Sequence, residues 1–211
     1  MKETLFNMRK EYTSPPLHVE DLDPSPFVQF KNWFEEAKPL IEPNAMTLAT
    51  VDAQGKPTLR TVLLKYFDGE GFVFFSNYTS KKAQDLAQNP HAAVHFAWLE
   101  QERQVEICGR VEKISRAESL RYFLSRPFGS QLGAWVSDQS QVISTRALLE
   151  AKFAELKAKF VKGEVPLPDF WGGYKLFPAS FEFWQGGGDR LHDRFEYTLC
   201  EDHWHLARLA P

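Results

Sequence analysis

Cysteine is scarce here: Cys108 and Cys200 are the only two in 211 residues, far apart and without a CxxC pair or a Cys/His cluster. Such spacing supplies neither a disulfide framework nor a zinc site, so two buried thiols and no metal are expected. Charge of one sign is lacking as well. Lys and Arg number 25 against 28 Asp and Glu, interspersed for a net charge of −3. That balance carries no electrostatic footprint for nucleic acid or an anionic membrane, while leaving room for a small anionic ligand. No apolar stretch reaches membrane-spanning length, and residues 1–15, charged throughout, hold no signal-peptide core; a cytoplasmic protein is expected. The dinucleotide fingerprint GxGxxG, the phosphate loop GxxxxGK, the hydrolase elbow GxSxG and the zinc motif HExxH are all missing. Metal hydrolysis and nucleoside-triphosphate chemistry lose support accordingly.

Aromatic residues, by contrast, are plentiful at 14%, with 18 Phe and 6 Trp. That favours β-rich packing and leaves ring surface for an interface or a flat cofactor, with core packing the default for any single ring. At 43% hydrophobic and 25% charged residues, the composition suits one globular domain, 27–211. A charged arm with four prolines, 1–26, precedes it and is expected to lie on the surface or cross to a partner.

Phe27, Phe30, Phe34 and Ala37 recur at helical spacing ahead of Pro39. Strand patterns follow at 46–51, 58–67 and 72–76, joined by turns at 52–55 and 68–71, which together predict an antiparallel meander. Residues 80–88 read as a short helix capped by Ser80, and 92–99 and 104–114 resume the sheet. A helix over 117–125 halts at Arg126-Pro127, and a longer one over 145–161 has Ser144 as its candidate cap. Strand-like runs at 174–177, 181–184, 194–199 and 204–209 complete the chain. Many short strands with a few helices predict a mainly β fold with peripheral helices, a closed or nearly closed antiparallel barrel.

Five groups of residues could carry chemistry. Arg190, His192 and Arg194 fall at every second position, so an extended backbone would project all three from one face, beside the pliant Gly186-Gly187-Gly188. Two guanidiniums around an imidazole suit an anion; a solvated edge strand neutralised by Asp189 and Asp193 suits the pattern equally. Tyr122 and Arg126 share a helix face, with Ser130 beyond, a donor set that fits a phosphate monoester. A half-buried Tyr122 and an Arg126 paired to an acid such as Glu118 is the plainer alternative. Arg60 and Lys65 bracket Val62-Leu63-Leu64 at an odd spacing, so they serve different groups or one lies past a bulge. Lys81-Lys82 opens a helix, where cations oppose the macrodipole unless an anion sits there, though an exposed pair is the commoner case. Gln104, Gln139 and Ser140 offer hydrogen bonds to a heterocycle.

Taken together, several segments resemble the pyridoxine (pyridoxamine) 5′-phosphate oxidase family. They are Arg60-Thr61-Val62-Leu63-Leu64-Lys65, Arg121-Tyr122-Phe123-Leu124-Ser125-Arg126-Pro127, Gly133-Ala134-Trp135-Val136-Ser137 and Gly163-Glu164-Val165-Pro166-Leu167-Pro168. Phe170-Trp171-Gly172-Gly173, Glu182-Phe183-Trp184-Gln185-Gly186-Gly187, Arg190-Leu191-His192-Asp193-Arg194 and Arg208-Leu209-Ala210-Pro211 continue the match in order. The resemblance implies an FMN-binding split β-barrel and a homodimer with FMN at the subunit interface. It further implies oxidation of pyridoxine 5′-phosphate or pyridoxamine 5′-phosphate to pyridoxal 5′-phosphate, with O2 reduced to H2O2.

By matching position, the resemblance gives FMN to Arg60, Thr61, Val62, Leu63, Leu64, Lys65, Phe75, Ser76, Lys81, Lys82, Gln104, Gln139, Ser140, Trp184 and Arg194. It gives the substrate phosphate to Lys65, Tyr122, Arg126 and Ser130, and the substrate ring to Arg190, Leu191 and His192, with Arg190 and His192 as the catalytic pair. Arg9, Lys10, Glu11 and Tyr12 match a segment that closes over the substrate. Phe75-Ser76 stands where the family has Tyr-Thr, Lys81 where Arg is common, and Gly188-Asp189 where other filler is usual. A flavin store would need only the FMN set and has no reason to keep Tyr122, Arg126 and Ser130 with Lys65; a carrier of pyridoxal 5′-phosphate could coexist with oxidase activity.

Overall fold

The computed structural model describes residues 2–161 and 163–211; Met1, at the head of the expected arm, and Lys162 lie outside the described residues. Along the chain run α1 (Lys2–Phe6), α2 (Pro26–Ala37), β1 (Ala45–Val51), β2 (Pro57–Leu63), β3 (Tyr66–Phe67), β4 (Phe72–Asn77) and α3 (Lys81–Gln88). Then come β5 (His91–Trp98), β6 (Arg103–Lys113), α4 (Arg116–Ser125), α5 (Phe128–Val136), α6 (Arg146–Phe160), β7 (Trp171–Gln185), β8 (Asp193–Cys200) and β9 (His203–Leu209). The strands are hydrogen-bonded in the order β2-β1-β5-β6-β7-β4-β3, with β8 on β7 and β9 on β8. The mainly β reading with peripheral helices therefore holds.

Local chemistry accounts for these elements and for the departures from expectation. In β1 the buried residues Met46, Leu48 and Thr50 alternate with half-buried ones, the period-two signature of a pleated strand. The expected strand 58–67 divides into β2 and β3. Between them Leu64 is buried, Lys65 is exposed, and the Lys65 amide donates to Val73 O at 2.8 Å. Conversely, the runs 174–177 and 181–184 merge into β7. Trp171–Leu176 pairs antiparallel with β4 and Ser180–Gln185 with β8, so Pro178 falls between the two ladders and removes a bond from neither. Helix α5 has no counterpart in the sequence reading. It starts directly after Pro127, and Gly129 and Gly133 thin its apolar pattern.

The helix caps differ in detail too. Ser80 is the N-cap of α3, yet its hydroxyl donates back to Asn77 O at 2.8 Å, while the N-cap of α6 is Thr145 rather than Ser144. The thiols also depart from expectation: Cys200, at the β8–β9 turn, is exposed, and Cys108 is half-buried with burial pushing its pKa up to about 11.

The chain divides into two compact units. One comprises Ala93–Gly109, Pro178–Pro211 and the chain up to Thr47; the other comprises Leu48–Ala92 and Arg110–Phe177. In the first, Phe30, Phe96, Phe181, Phe183, Phe195 and Tyr197 are fully buried, and Trp33 meets Phe183 edge-on at 5.2 Å. The Tyr197 hydroxyl donates to Asp23 O at 2.7 Å, which fixes the approach to α2. In the second, Phe72, Phe74 and Leu176 are buried on β4 and β7, and Phe123, Leu132, Ala134, Val165, Leu167 and Trp171 form a cluster under α4 and α5. Truncating one of these buried rings to Ala costs ~3–5 kcal/mol. Among the described residues no helix is long and apolar enough to cross a membrane.

Candidate functional site

Within the second unit a cavity of about 560 Å³ is lined by residues from β2, β4, α3, α4 and α5. Thr61, Val62, Leu63 and Lys65 form one wall, Phe75 and Ser76 another, and Lys82, Tyr122, Arg126, Ser130 and Gln139 complete the expected set there. Among the described residues, no Asp or Glu lines it. Lys82 is buried, and its Nζ donates to Gln139 Oε1 at 2.9 Å, Ser76 Oγ at 3.2 Å and Ser80 Oγ at 3.4 Å, all neutral oxygens. Burial, reinforced by the Arg60 charge, pushes its pKa down to about 8.

Arg126 is held differently. It follows the last turn of α4 in an extended conformation, at the sharp stop before Pro127, and its guanidinium lies 5.9 Å from the Phe123 ring centroid. The guanidinium lies 4.7 Å from the Trp171 ring centroid, and its buried Nη1 has no hydrogen-bond partner among the described residues. Glu118, the acid offered as its neighbour, instead accepts from the hydroxyls of Tyr66 and Ser115. Phe75 stacks on Tyr122 at 4.0 Å and on Trp171 at 5.3 Å, giving the cavity an aromatic wall. A cavity with three cations, hydroxyls and a flat aromatic wall has the chemistry to suit a phosphate ester carrying a planar ring system.

The other expected FMN residues of this unit do not line the cavity. Arg60 spends its donors on Leu48 O, Thr50 Oγ1, Thr58 O and Thr58 Oγ1 at 2.6–3.1 Å, with Asp85 at 3.9 Å. Lys81 pairs with Asp85 at 2.6 Å, and that bond raises its pKa. Leu64 is core, and Ser140 is exposed at φ 72°.

The first unit holds a separate cavity of about 650 Å³, lined by Arg9, Lys10, Glu11 and Tyr12 from the arm and by Trp184, Arg190 and His192. Tyr12 stands edge-on to both Trp184 and His192 at 5.5 Å, and the last two rings lie 4.7 Å apart. The Gly187 amide donates to His192 Nδ1 at 3.1 Å, so a neutral ring carries its proton on Nε2. Arg190 and His192 do not lie on a strand with Arg194. Gly188–Arg190 forms a 3-10 turn in which Asp189 (φ 53°) and Arg190 (φ 62°) are both left-handed, and β8 begins only at Asp193. A Cβ at Gly187 would meet Leu191 O at 2.3 Å, which makes glycine necessary for this close turn.

Neither proposed counter-charge neutralises Arg190. Asp193 pairs with Arg208 and accepts from the Leu17 amide, and Arg190 makes no ion pair among the described residues. Leu191 is exposed. Gln104 and Arg194 lie in the same unit but outside this cavity. Gln104 bonds His95 at 3.0 Å, and Arg194 forms a two-point pair with Glu182 at 2.8 and 3.0 Å and also donates to Ala210 O at 2.9 Å.

Residues 34–160 match the family model described as pyridoxamine 5′-phosphate oxidase. The chain belongs to the pyridoxine/pyridoxamine 5′-phosphate oxidase family. Residues 171–211 match a second model, described as the pyridoxine 5′-phosphate oxidase C-terminal dimerisation region. The pyridoxine/pyridoxamine 5′-phosphate oxidase of Rippkaea orientalis is 59% identical over 207 residues, covering 97% of this chain and 98% of the relative. That of Aliarcobacter butzleri is 60% identical over 210 residues, covering 98% and 99%. Among solved structures, PhzG from Burkholderia lata, in complex with tetrahydrophenazine-1-carboxylic acid, superposes with a TM-score of 0.89 at 27% identity, covering 96% of this chain and all of that one. A pyridoxamine 5′-phosphate oxidase-related, FMN-binding protein from Nostoc punctiforme shares the fold at a TM-score of 0.72 and 16% identity, over 90% and 98% of the two chains. The fold is thus the split β-barrel expected from the sequence.

Membership of this family leaves several lining residues that residue reasoning missed. Asn77, Ser137 and Trp171 border the first cavity, and Met8, Gly187 and Asp189 the second. Trp171 had a signal in the adjacent Gly172-Gly173. A Cβ at Gly172 would meet the Tyr78 hydroxyl at 2.1 Å and one at Gly173 the Ile114 side chain at 2.4 Å, marking a strand packed too closely for side chains beside that tryptophan.

Proposed function

We propose that the protein oxidises pyridoxine 5′-phosphate or pyridoxamine 5′-phosphate to pyridoxal 5′-phosphate with FMN as cofactor, reducing O2 to H2O2. Full-length relatives at 59–60% identity bearing that oxidase name support the reading. One structural observation carries it: among the described residues, no carboxylate lines the cavity that holds Lys65, Lys82 and Arg126, and a buried guanidinium nitrogen of Arg126 lacks a partner. Burying cations without counter-ions is costly unless a ligand supplies the anion.

The residues present fit FMN. Lys82, Ser76, Gln139 and the 61–63 backbone would hold the cofactor, with Lys65, Tyr122, Arg126 and Ser130 taking the substrate phosphate. When bound, FMN supplies the two-electron acceptor that is reoxidised by dioxygen. The protein's own part is binding and orientation. The phosphate set anchors the substrate at a point remote from the reacting carbon, so binding energy is spent on alignment. Arg190, unpaired and held by a left-handed turn, orients the pyridine ring and stabilises charge developing on it; His192 offers its Nε2 proton as a donor beside it. Arg9 to Tyr12 cover the same cavity from the arm and exclude water.

FMN lies between two copies of the chain in this reading, and Gln104, Trp184 and Arg194, which line no part of the 560 Å³ cavity, reach it from the second copy. The dimerisation-region match over 171–211, which contains Trp184 and Arg194, supports that arrangement. The test is direct. The purified protein should be yellow, or become so with FMN, and should produce peroxide from either phosphorylated substrate. A colourless protein that FMN cannot reconstitute would end this reading.

A further inference from the structure

Glu102 is a buried carboxylate that the proposed chemistry does not use. It is 6% exposed, follows a 3-10 turn and adopts the left-handed conformation at φ 56°. Its Oε2 accepts from the Thr13 amide at 2.8 Å, the Ser14 amide at 3.0 Å and the Ser14 hydroxyl at 2.9 Å, and its Oε1 faces Lys10 Nζ at 3.0 Å. Two backbone donors, a hydroxyl and an ammonium from three arm residues, Lys10, Thr13 and Ser14, thus converge on one side chain. Charge-assisted bonds of this kind are roughly twice as strong as neutral ones.

The backbone of the same residue serves the opposite wall. Glu102 O accepts from the Gly186 amide at 2.7 Å, at the start of the glycine turn that leads to Arg190 and His192. Gly186 in turn lies against Tyr12, since a Cβ there would stand 2.7 Å from the Tyr12 ring. The arm residues that line the cavity and the turn that presents Arg190 therefore meet at Glu102. Around it, Gln185 Nε2 donates to Pro15 O at 2.7 Å and Arg208 Nη2 to Leu17 O at 2.9 Å, but these hold the arm only beyond the cavity-lining stretch.

We infer that Glu102 is a positioning residue for the proposed oxidation: its carboxylate clamps the arm at Lys10 to Ser14 so that Tyr12 stays seated against Trp184 and His192 over the substrate ring. This rests on the functional reading above. Glu102 touches neither substrate nor cofactor, and acts only through the arm.

The left-handed backbone allows a clean test, because Glu102→Gly removes the carboxylate while suiting the φ angle and keeping the carbonyl bond to Gly186. In the FMN-loaded enzyme, Glu102→Gly is expected to raise KM for pyridoxine 5′-phosphate about tenfold with kcat within about twofold, and to speed tryptic cleavage after Arg9 and Lys10 at least tenfold. Combining it with Tyr12→Ala should add nothing to the KM of Tyr12→Ala alone, since both unseat the same ring. Unchanged cleavage, or fully additive KM effects, would overturn the clamp. Should Glu102→Gly fail to fold, the pair Lys10→Met and Ser14→Ala removes two donors from the arm side, with cleavage after Arg9 as the readout under the same criteria. Proteolysis reads the clamp even if wild-type protein turns over neither substrate, so failure of the oxidase reading and failure of the clamp are separable.

Discussion

The two cavities are opposites in how they handle charge and in what their walls are made of. In the 560 Å³ cavity, Lys82 sits on α3 while Lys65 and Arg126 follow the ends of β2 and α4, with no acid among the described lining residues. In the 650 Å³ cavity, Arg9, Lys10 and Arg190 share the wall with Glu11 and Asp189, and the wall itself is an arm and a left-handed turn. The first is electrostatically unsatisfied, which suits capture of phosphate groups. The second is satisfied at its base by Glu102 and assembled from segments with little regular structure, which suits admission and release. Elsewhere the same chemistry is spent internally: Arg60, Lys81 and Arg194 all have carboxylate neighbours, so a cation by itself does not mark a site.

Arg126 offers the largest effect with which to break this contrast. Its buried Nη1 has no partner, so the folded protein bears an unsatisfied donor whose cost is ~1–3 kcal/mol. Arg126→Met should therefore leave the unliganded protein as stable or raise its Tm by about 2–4 °C, while lowering kcat/KM for the phosphorylated substrates by on the order of 10²–10³-fold. Scanning calorimetry and steady-state kinetics on one preparation check both halves. A loss of stability would mean that Arg126 is a structural residue.

Arg190→Ala tests the other cavity. Because the residue is exposed and unpaired, folding should be unaffected, and removing the Cβ strain of a left-handed position is not at issue since Ala retains it. The turnover number at saturating substrate should fall by on the order of 10²-fold, as expected when an orienting group is lost. Smaller, and specific to the first cavity, is a pH effect on cofactor affinity. Lys82 has a pKa lowered to about 8 in the unliganded protein, and an anion favours its charged form. The sign follows: FMN affinity is full below that pKa and weakens by up to about tenfold per unit as pH rises above it, until the raised pKa of the bound form is reached. Fluorescence titration of flavin between pH 7 and 9.5 measures this, and Lys82→Met should abolish the slope.

Much of this was legible in the residues. The alternation of Met46, Leu48 and Thr50 and the stop at Arg126-Pro127 are local signals, and the structure keeps both. The odd spacing of Arg60 and Lys65 does divide their roles, the first into an internal network and the second into the cavity wall. What failed were inferences in which a regular period was carried through irregular backbone. Counting every second residue puts Arg190, His192 and Arg194 on one face only where the backbone is extended, and consecutive positive φ angles at Asp189 and Arg190 break that condition before β8 begins. Helix α5 went unseen because glycines at two of its nine positions mask a buried face that tertiary packing nevertheless selects. Residue type also could not say which cations find acids, since Asp85 and Glu182 reach Lys81 and Arg194 through fold geometry at spacings of four and twelve residues.

The mildest prediction concerns Phe75, where the family pattern has tyrosine. Its ring stacks on Tyr122 at 4.0 Å and on Trp171 at 5.3 Å, and those two rings lie 6.2 Å apart, so its position is set by stacking rather than by any hydroxyl. Phe75→Tyr therefore keeps the ring in place and adds one donor at the cavity wall. A single neutral hydrogen bond nets ~0.5–1.5 kcal/mol, which corresponds to FMN binding tighter by no more than roughly tenfold, and the partly wet wall places the expected gain near threefold. By contrast Phe75→Leu, which keeps apolar bulk but removes the flat face, should weaken FMN by more than the tyrosine strengthens it. If the two substitutions had equal and opposite effects, the wall would be recognising the cofactor through polarity, and the stacked Phe75-Tyr122-Trp171 surface would be core packing that merely borders the cavity.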